Sequence, residues 1–379
     1  MRVAVYWKTG TPWLGGWNYF LNMARVCRRF APDIQFVLVN DGELEAKKRD
    51  DLVAAGIGFI TTAPKPYWRG LLGLRDKALE RSLRAANIDV VFELITFHGA
   101  CFGLPALSWI PDLQHCFLPA FFSRSERIKR NLDYWYRLRF RRHVLLSSET
   151  ARGDLATCFP RHAAQIHVVP FAVQPVLTVT DQGISAVLEA HKISSPYFFL
   201  PNQFWQHKNH DVALKAVTSA ARRDPGILLV MSGQASDHRA ARYAETPLRR
   251  IEELGMENNI RMLGVISYAD LLHLIAGARG LINPSLFEGW STTVEEAKAL
   301  GTPTLLSSLK VHREQAGHQA VFFDPHSPEE LADALVIAQA APRTDGENRR
   351  QRAAAWSLEA QRIYAEKLRS ALAATLSAR

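Results

Sequence analysis

Short β-rich runs alternate with helical patterns along almost all of this 379-residue chain, and the alternation breaks only once before restarting. The runs fall at residues 2–6, 35–39, 89–94, 107–110, 144–148 and 166–170, separated by helical periods such as 17–30 and 73–86. Over residues 174–183, Gln-Pro-Val-Leu-Thr-Val-Thr-Asp-Gln-Gly, the pattern loosens into the best candidate linker. It resumes at 197–200 and continues through 227–231, 260–263, 280–283, 304–307 and 321–323. Strands that alternate with helices bury both faces of a sheet, which a parallel, doubly wound arrangement achieves.

Two such sheets predict two Rossmann-like domains, residues 1–178 and 179–350. The length agrees, since a single core stops growing at roughly 250–300 residues. The remaining residues, 351–379, read as a long amphipathic helix capped by Ser357 and running to Leu376. No solenoid repeat or low-complexity tract interrupts the two units.

With 47% apolar and 22% charged residues, the composition is that of a globular protein. No run approaches the roughly 18–20 apolar residues that span a bilayer, and the opening Met1–Lys8 reads as a first strand rather than a signal peptide. Cys27, Cys101, Cys116 and Cys158 are scattered without a Cys-x-x-Cys pair, so neither a zinc site nor a disulfide framework is indicated, and a cytoplasmic location is expected. The net charge of +9 is concentrated in segment 124–142, where eight Arg and Lys residues interleave with Tyr134, Trp135, Tyr136 and Phe140. Such a segment suits an anionic membrane surface, with a solvated helix whose aromatics face the core as the alternative. No nucleic-acid-binding signature accompanies the charge, so nucleic acid is not expected as a partner.

The segment Asn283-Pro-Ser-Leu-Phe-Glu288-Gly289-Trp290-Ser291-Thr292-Thr-Val-Glu295-Glu296-Ala-Lys-Ala-Leu-Gly301-Thr-Pro303 places two carboxylates around a Gly turn. A short buried strand precedes it, and a helix from Val294 to Leu300 follows, stopped by Gly301 and Pro303. Glu288 therefore lies in a strand-to-helix loop, where open α/β sheets bind ligands, and Glu296 lies in the helix's opening turns. A carboxylate can accept two hydrogen bonds from a sugar diol. Glu295, about 100° round the helix from Glu296, is expected to face solvent.

This segment resembles the nucleotide-sugar signature of the family 4 retaining glycosyltransferases, the GT-B group with a Glu-x7-Glu pattern. The resemblance implies two Rossmann-like domains facing a cleft, with a carboxy-terminal helix crossing back to the first. It assigns Glu288 to the donor sugar's hydroxyls, Glu296 to the nucleotide ribose, and Gly289, Trp290, Ser291 and Thr292 to positioning sugar and phosphate. The loop Leu200-Pro-Asn202-Gln203-Phe-Trp-Gln-His207-Lys208-Asn-His resembles the family's diphosphate loop, with Lys208 at its Lys position. The family's Arg falls on Asn202 or Gln203, a departure that removes half of the cationic clamp; His207 would compensate if protonated, or merely brace the loop.

In the first domain, Gly15 and Gly16 follow the first strand and permit close backbone approach to an anion; the resemblance turns them toward donor phosphates and acceptor. Asp112 and His115 follow a buried strand. The family often places a His there in the order His-Asp; here the order is Asp-x-x-His, and either residue would serve as acceptor base or simply hydrogen-bond its loop. No metal and no further cofactor is expected.

The expected function is retaining transfer of a hexose or deoxyhexose from a nucleoside-diphosphate sugar to a lipid-linked glycan, at the inner face of the cytoplasmic membrane. A GT-B epimerase and a non-catalytic sugar-nucleotide-binding protein are the alternatives.

Overall fold

The computed structural model of the chain describes every residue except 12, 63–73, 176, 195, 235–244, 343, 344 and 379. Pro12 of the opening loop, the first position of the 73–86 helix and Val176 of the linker thus lie outside the described residues. The chain divides into two compact units, Met1–Cys116 with Ser123–Gln174 and Glu359–Arg379, and Phe117–Phe122 with Pro175–Leu358.

Unit 1 carries a seven-stranded sheet of β1 (Arg2–Trp7), β2 (Gln35–Asn40), β3 (Gly58–Thr61), β4 (Val90–Glu93), β5 (Ala106–Trp109), β6 (His143–Leu146) and β7 (Gln165–Val168). The order is β3-β2-β1-β4-β5-β6-β7, and every pairing is parallel. Strand β3 is absent from the expected elements. It is a four-residue edge strand whose side chains are mostly exposed, so it lacks the buried apolar run that marks a covered strand.

Unit 2 carries six parallel strands: β8 (Phe198–Leu200), β9 (Leu229–Met231), β10 (Ile260–Met262), β11 (Gly280–Asn283), β12 (Thr304–Ser307) and β13 (Ala320–Phe323), in the order β10-β9-β8-β11-β12-β13. Strands β8, β9 and β11 are wholly buried. Apolar clusters cover both faces of the sheet. Phe198, Leu229 and Leu331 belong to one, and Phe199, Leu281 and Leu274 to the other. The strand order reverses between β8 and β11, so the loops leaving their carboxyl ends flank the topological switch point, where a crevice opens in such sheets.

The carboxy-terminal helix runs Gly346–Ser377 and so begins well before Ser357, correcting the expected cap. Asp345 accepts the Glu347 backbone N–H at 2.9 Å, and Ser357 is buried within the helix. No helix among the described residues is long and apolar enough to cross a membrane.

Candidate functional site

In unit 2, the loop after β8 and the loop after β11 are tied together. The Leu286 N–H donates to the His207 carbonyl at 2.8 Å, and Asn209 Nδ2 donates to the carbonyls of Pro284 and Pro325 at 3.1 and 2.8 Å. Asn209 reaches both because it adopts φ +55°, a left-handed conformation that Asn tolerates better than most residues. Gly233 lets the β8 loop approach: a Cβ there, at φ +148°, would lie 2.4 Å from the Asn202 carbonyl oxygen.

These ties bring Lys208 Nζ to 2.6 Å from Glu288 Oε1. The pair is largely shielded, with side-chain exposures of 14% and 9%. Burial alone would raise the Glu288 carboxyl, but the Lys208 ammonium, helped by His207 and His312, holds it well below the usual carboxylate range. The Ser285 hydroxyl sits between Asn283 Oδ1, at 2.6 Å, and Glu288 Oε1, at 2.7 Å. Ser307 donates to the Ser285 carbonyl at 2.6 Å, and the wholly buried His312 lies within hydrogen-bond distance of Ser307 through Nδ1. Asn283 at the end of β11, through Ser285, thus helps hold Glu288 in place.

The helix Thr292–Ala299 starts at Ser291, whose hydroxyl caps the Val294 N–H, and Gly301 at φ +70° ends it as expected. Glu296 is buried on this helix. Desolvation pushes its carboxyl up to about 7, opposed by a hydrogen bond from Tyr268, and Oε2 has no hydrogen-bond partner among the described residues.

Glu295 overturns the expectation that it faces solvent. It is 2% exposed, Lys298 Nζ lies 2.9 Å from its Oε1, and Gln315 Nε2 donates to the same oxygen at 3.0 Å. Gln315 also donates to the Ser291 carbonyl at 2.7 Å and accepts the Ser291 N–H at 3.2 Å, while Lys298 sits 4.3 Å from the centre of the Trp356 ring. The side of the helix turned from Glu296 is therefore packed against the next βα unit. No local periodicity announces this, because Glu295 is paired by a residue 20 positions away.

Asn202 is buried and Gln203 half-buried, and neither brings a charge to the loop. His207 is buried beside Trp205, with ring centroids 5.6 Å apart. Trp290 is half-buried, whereas Thr292 faces solvent.

In unit 1, Gly15 and Gly16 lie in the first turn of the helix Leu14–Phe30. A Cβ on Gly16 would fall 2.3 Å from the Trp13 ring, so the indole lies directly over the Gly pair. Asp112 accepts the Gln114 N–H at 3.1 Å and faces Arg130 at 3.7 Å. His115 is 2% exposed, with Nε2 3.0 Å from Asn131 Oδ1, and burial lowers its pKa. Both are braced by the basic helix Arg124–Phe140, which opens with a Ser123/Glu126 capping box.

Two of that helix segment's cations are not surface charges. Arg141 is buried in a two-pronged contact with Glu93 at 2.6 and 2.9 Å, and Arg137 donates to the carbonyls of Glu93 and Ile95 at 3.1 and 2.6 Å. Ile128, Leu132, Trp135 and Phe140 are exposed, whereas Tyr134 is buried. The segment thus has one packed face and one apolar, cationic face in solvent. Among the described residues, no three His, Cys, Asp or Glu side chains are grouped to hold a metal ion.

Residues 188–353 match the family described as Glycosyl transferases group 1. The O-antigen chain mannosyltransferase RfbU of Salmonella typhimurium is 22% identical over 231 residues, covering 58% of this chain and 60% of that protein. The D-inositol 3-phosphate glycosyltransferase of Corynebacterium glutamicum is 31% identical over 134 residues, covering 34% of this chain and 31% of that one. The chain therefore spans under two thirds of the length of each of these relatives. The structure of Anabaena HepE in complex with UDP and glucose superposes with a TM-score of 0.76 at 16% identity, covering 99% of this chain and 100% of that one. A glycosyltransferase from Rickettsia africae does so at 0.73 and 16%, covering 100% and 99%. At these identities the likeness carries the fold.

Proposed function

We propose that this chain, whose residues 188–353 match the group 1 glycosyl transferases and whose two parallel sheets have the GT-B fold, is a retaining, nucleotide-sugar-dependent hexosyltransferase. The observation that carries this is the Lys208–Glu288 pair, set at the switch point of the second sheet with Glu296 buried on the helix that follows. A fixed cation and a fixed carboxylate at one strand-end crevice match a donor with a leaving diphosphate and a polyol. In this reading Lys208 stabilises the diphosphate as charge develops, with His207 and backbone N–H groups at Gly289 to Thr292 beside it. Asn202 and Gln203 donate to phosphate without charge assistance. Glu288 orients the sugar, and Glu296 takes the ribose diol.

Retention follows from front-face departure, in which the leaving phosphate helps take the acceptor proton. Asp112, more open than His115, is the acceptor-side polar group of unit 1, where the Trp13 indole covers Gly15 and Gly16. The described activity of RfbU supports a hexose donor and a polysaccharide acceptor, and HepE, solved with UDP and glucose, supports a uridine nucleotide. The exposed Ile128, Leu132, Trp135 and Phe140, with Arg124, Lys129 and Arg139 around them, support docking to an anionic membrane carrying a lipid-linked glycan.

Calorimetry of the chain with a panel of nucleotide sugars tests the donor assignment, which fails if Glu296→Ala leaves every affinity unchanged. The anomeric configuration of the product, read by NMR, tests retention. Incubation with donor alone separates transfer from epimerisation, because an epimerase would convert the donor without acceptor. Flotation with anionic vesicles at low salt tests the membrane assignment.

A further inference from the structure

A cavity of about 290 Å³ opens in unit 1 beside the carboxyl ends of β2 and β3, and none of the residues assigned to the donor lines it. It lies on the carboxyl edge of the sheet but to one side of its switch point, which falls between β1 and β4. Its volume lies at the small end of ligand sites, which run from roughly 300 to 1,000 Å³, and suits one ring rather than a chain of them.

The lining is specific in its chemistry. Phe59 on β3 contributes an aromatic side chain that is 48% exposed, and Leu44 a buried apolar one. Against them stand Glu43 and Arg49, 3.0 Å apart and both reaching solvent, with Asn40 and Thr61 at the two strand ends. A carboxylate that only accepts beside a guanidinium that only donates matches a ligand carrying hydroxyls, which do both. A phosphate would be repelled by Glu43, and a wholly apolar ligand would strip water from Glu43 and Arg49 without replacing their hydrogen bonds. A pyranose offers what the cavity asks for, an apolar C–H face for the Phe59 ring and a rim of hydroxyls.

We propose that this cavity binds one hexopyranose unit of the glycan acceptor, with Phe59 against the ring face and Glu43 and Arg49 on its hydroxyls. The assignment rests on the transferase reading above, and it places acceptor recognition on residues that no donor motif contains.

The test is saturation-transfer NMR of the full chain with the methyl α-glycosides of mannose, glucose and galactose. At least one glycoside is expected to show transfer, to lose it roughly fivefold in Phe59→Ala, the weight of one aromatic contact, and to lose it likewise in Glu43→Gln. The signal should persist in Glu288→Gln, and the unfolding midpoints of Phe59→Ala and Glu43→Gln should match that of the parent. The proposal is overturned if no glycoside shows transfer, if the signal survives both cavity substitutions, or if Glu288→Gln removes it, which would place the sugar in the donor site. Calorimetry of nucleotide-sugar binding on the same samples keeps the two readings apart. Intact donor binding with no glycoside signal sinks the cavity assignment alone, and absent donor binding sinks the transferase reading on which it rests.

Discussion

Lys208 and Glu288, eighty positions apart in sequence, meet at 2.6 Å as a shielded ion pair between the loops that flank the switch point of the second sheet. The ammonium assigned to a diphosphate and the carboxylate assigned to a sugar thus hold each other. A bound diphosphate would compete with Glu288 for Lys208.

Removing one partner strands the other. Lys208→Met leaves Glu288 buried with its Ser285 contact but no cation, and is expected to cost about 3–5 kcal/mol of unfolding free energy. Adding Glu288→Gln should restore much of that loss. Because the Glu288 carboxyl is held below its ordinary value, the pair's contribution is present above about pH 4.3 and fades as pH falls toward the lowered value. Urea titrations of the parent, the single and the double variant from pH 3 to 7 check both statements; equal stability of parent and Lys208→Met contradicts them.

Glu296 has the opposite sign. Burial pushes its carboxyl up to about 7, so between the unfolded value near 4.3 and about 7 the folded chain binds a proton that the unfolded chain does not. Its favourable contribution is complete below that window and lost as pH rises through 7. Glu296→Gln should therefore be more stable than the parent at pH 8, by about 3–4 kcal/mol, and about equal to it at pH 4.

If the ribose diol binds the ionised Glu296 carboxylate, donor binding must release that proton. Calorimetry of UDP at pH 6 in two buffers of different ionisation enthalpy should show release of most of one proton, falling away by pH 8.5. A buffer-independent enthalpy at pH 6 would remove Glu296 from the ribose.

Glu295 gives a simpler contrast. A solvent-facing Glu replaced by Ala changes stability by less than about 0.5 kcal/mol. With its bonds to Lys298 and Gln315 broken inside the fold, Glu295→Ala should instead cost about 1–3 kcal/mol. Chemical denaturation distinguishes the two ranges.

The basic segment should separate by burial. Arg141→Ala breaks the enclosed contact with Glu93 and is expected to lower stability by about 3–5 kcal/mol. Replacing Arg124, Lys129 and Arg139 together by Ser should leave the unfolding midpoint nearly unchanged. It should weaken binding to anionic vesicles by about 1 kcal/mol per cation. A vesicle affinity that ignores the three Ser substitutions would argue against this face as the docking surface.

Much of the architecture was legible because its signals are local. Twelve of the strands announced themselves as short buried runs, and the loops carrying Lys208 and Glu288 could be placed because each follows such a run. Edge strand β3 was not legible, since its exposed Phe59 and Thr61 make no apolar pattern, and with it went the cavity those residues line. Ser357 looked like a cap because capping residues are common inside helices too, and only the continuous helix from Gly346 tells them apart.

By itself the sequence determined the two parallel sheets, the Gly301 stop and the placing of Glu288 and Glu296 around one turn, because period, β-branched runs and turn residues act within a few positions. The tertiary structure alone decided which charges are buried and by what they are held: Lys208 with Glu288, Gln315 with Glu295, Arg141 with Glu93. The reason is electrostatic. A charge's worth depends on its distance to a partner and on the water around it, and both are set by segments brought together from 20 to 80 residues apart in the chain.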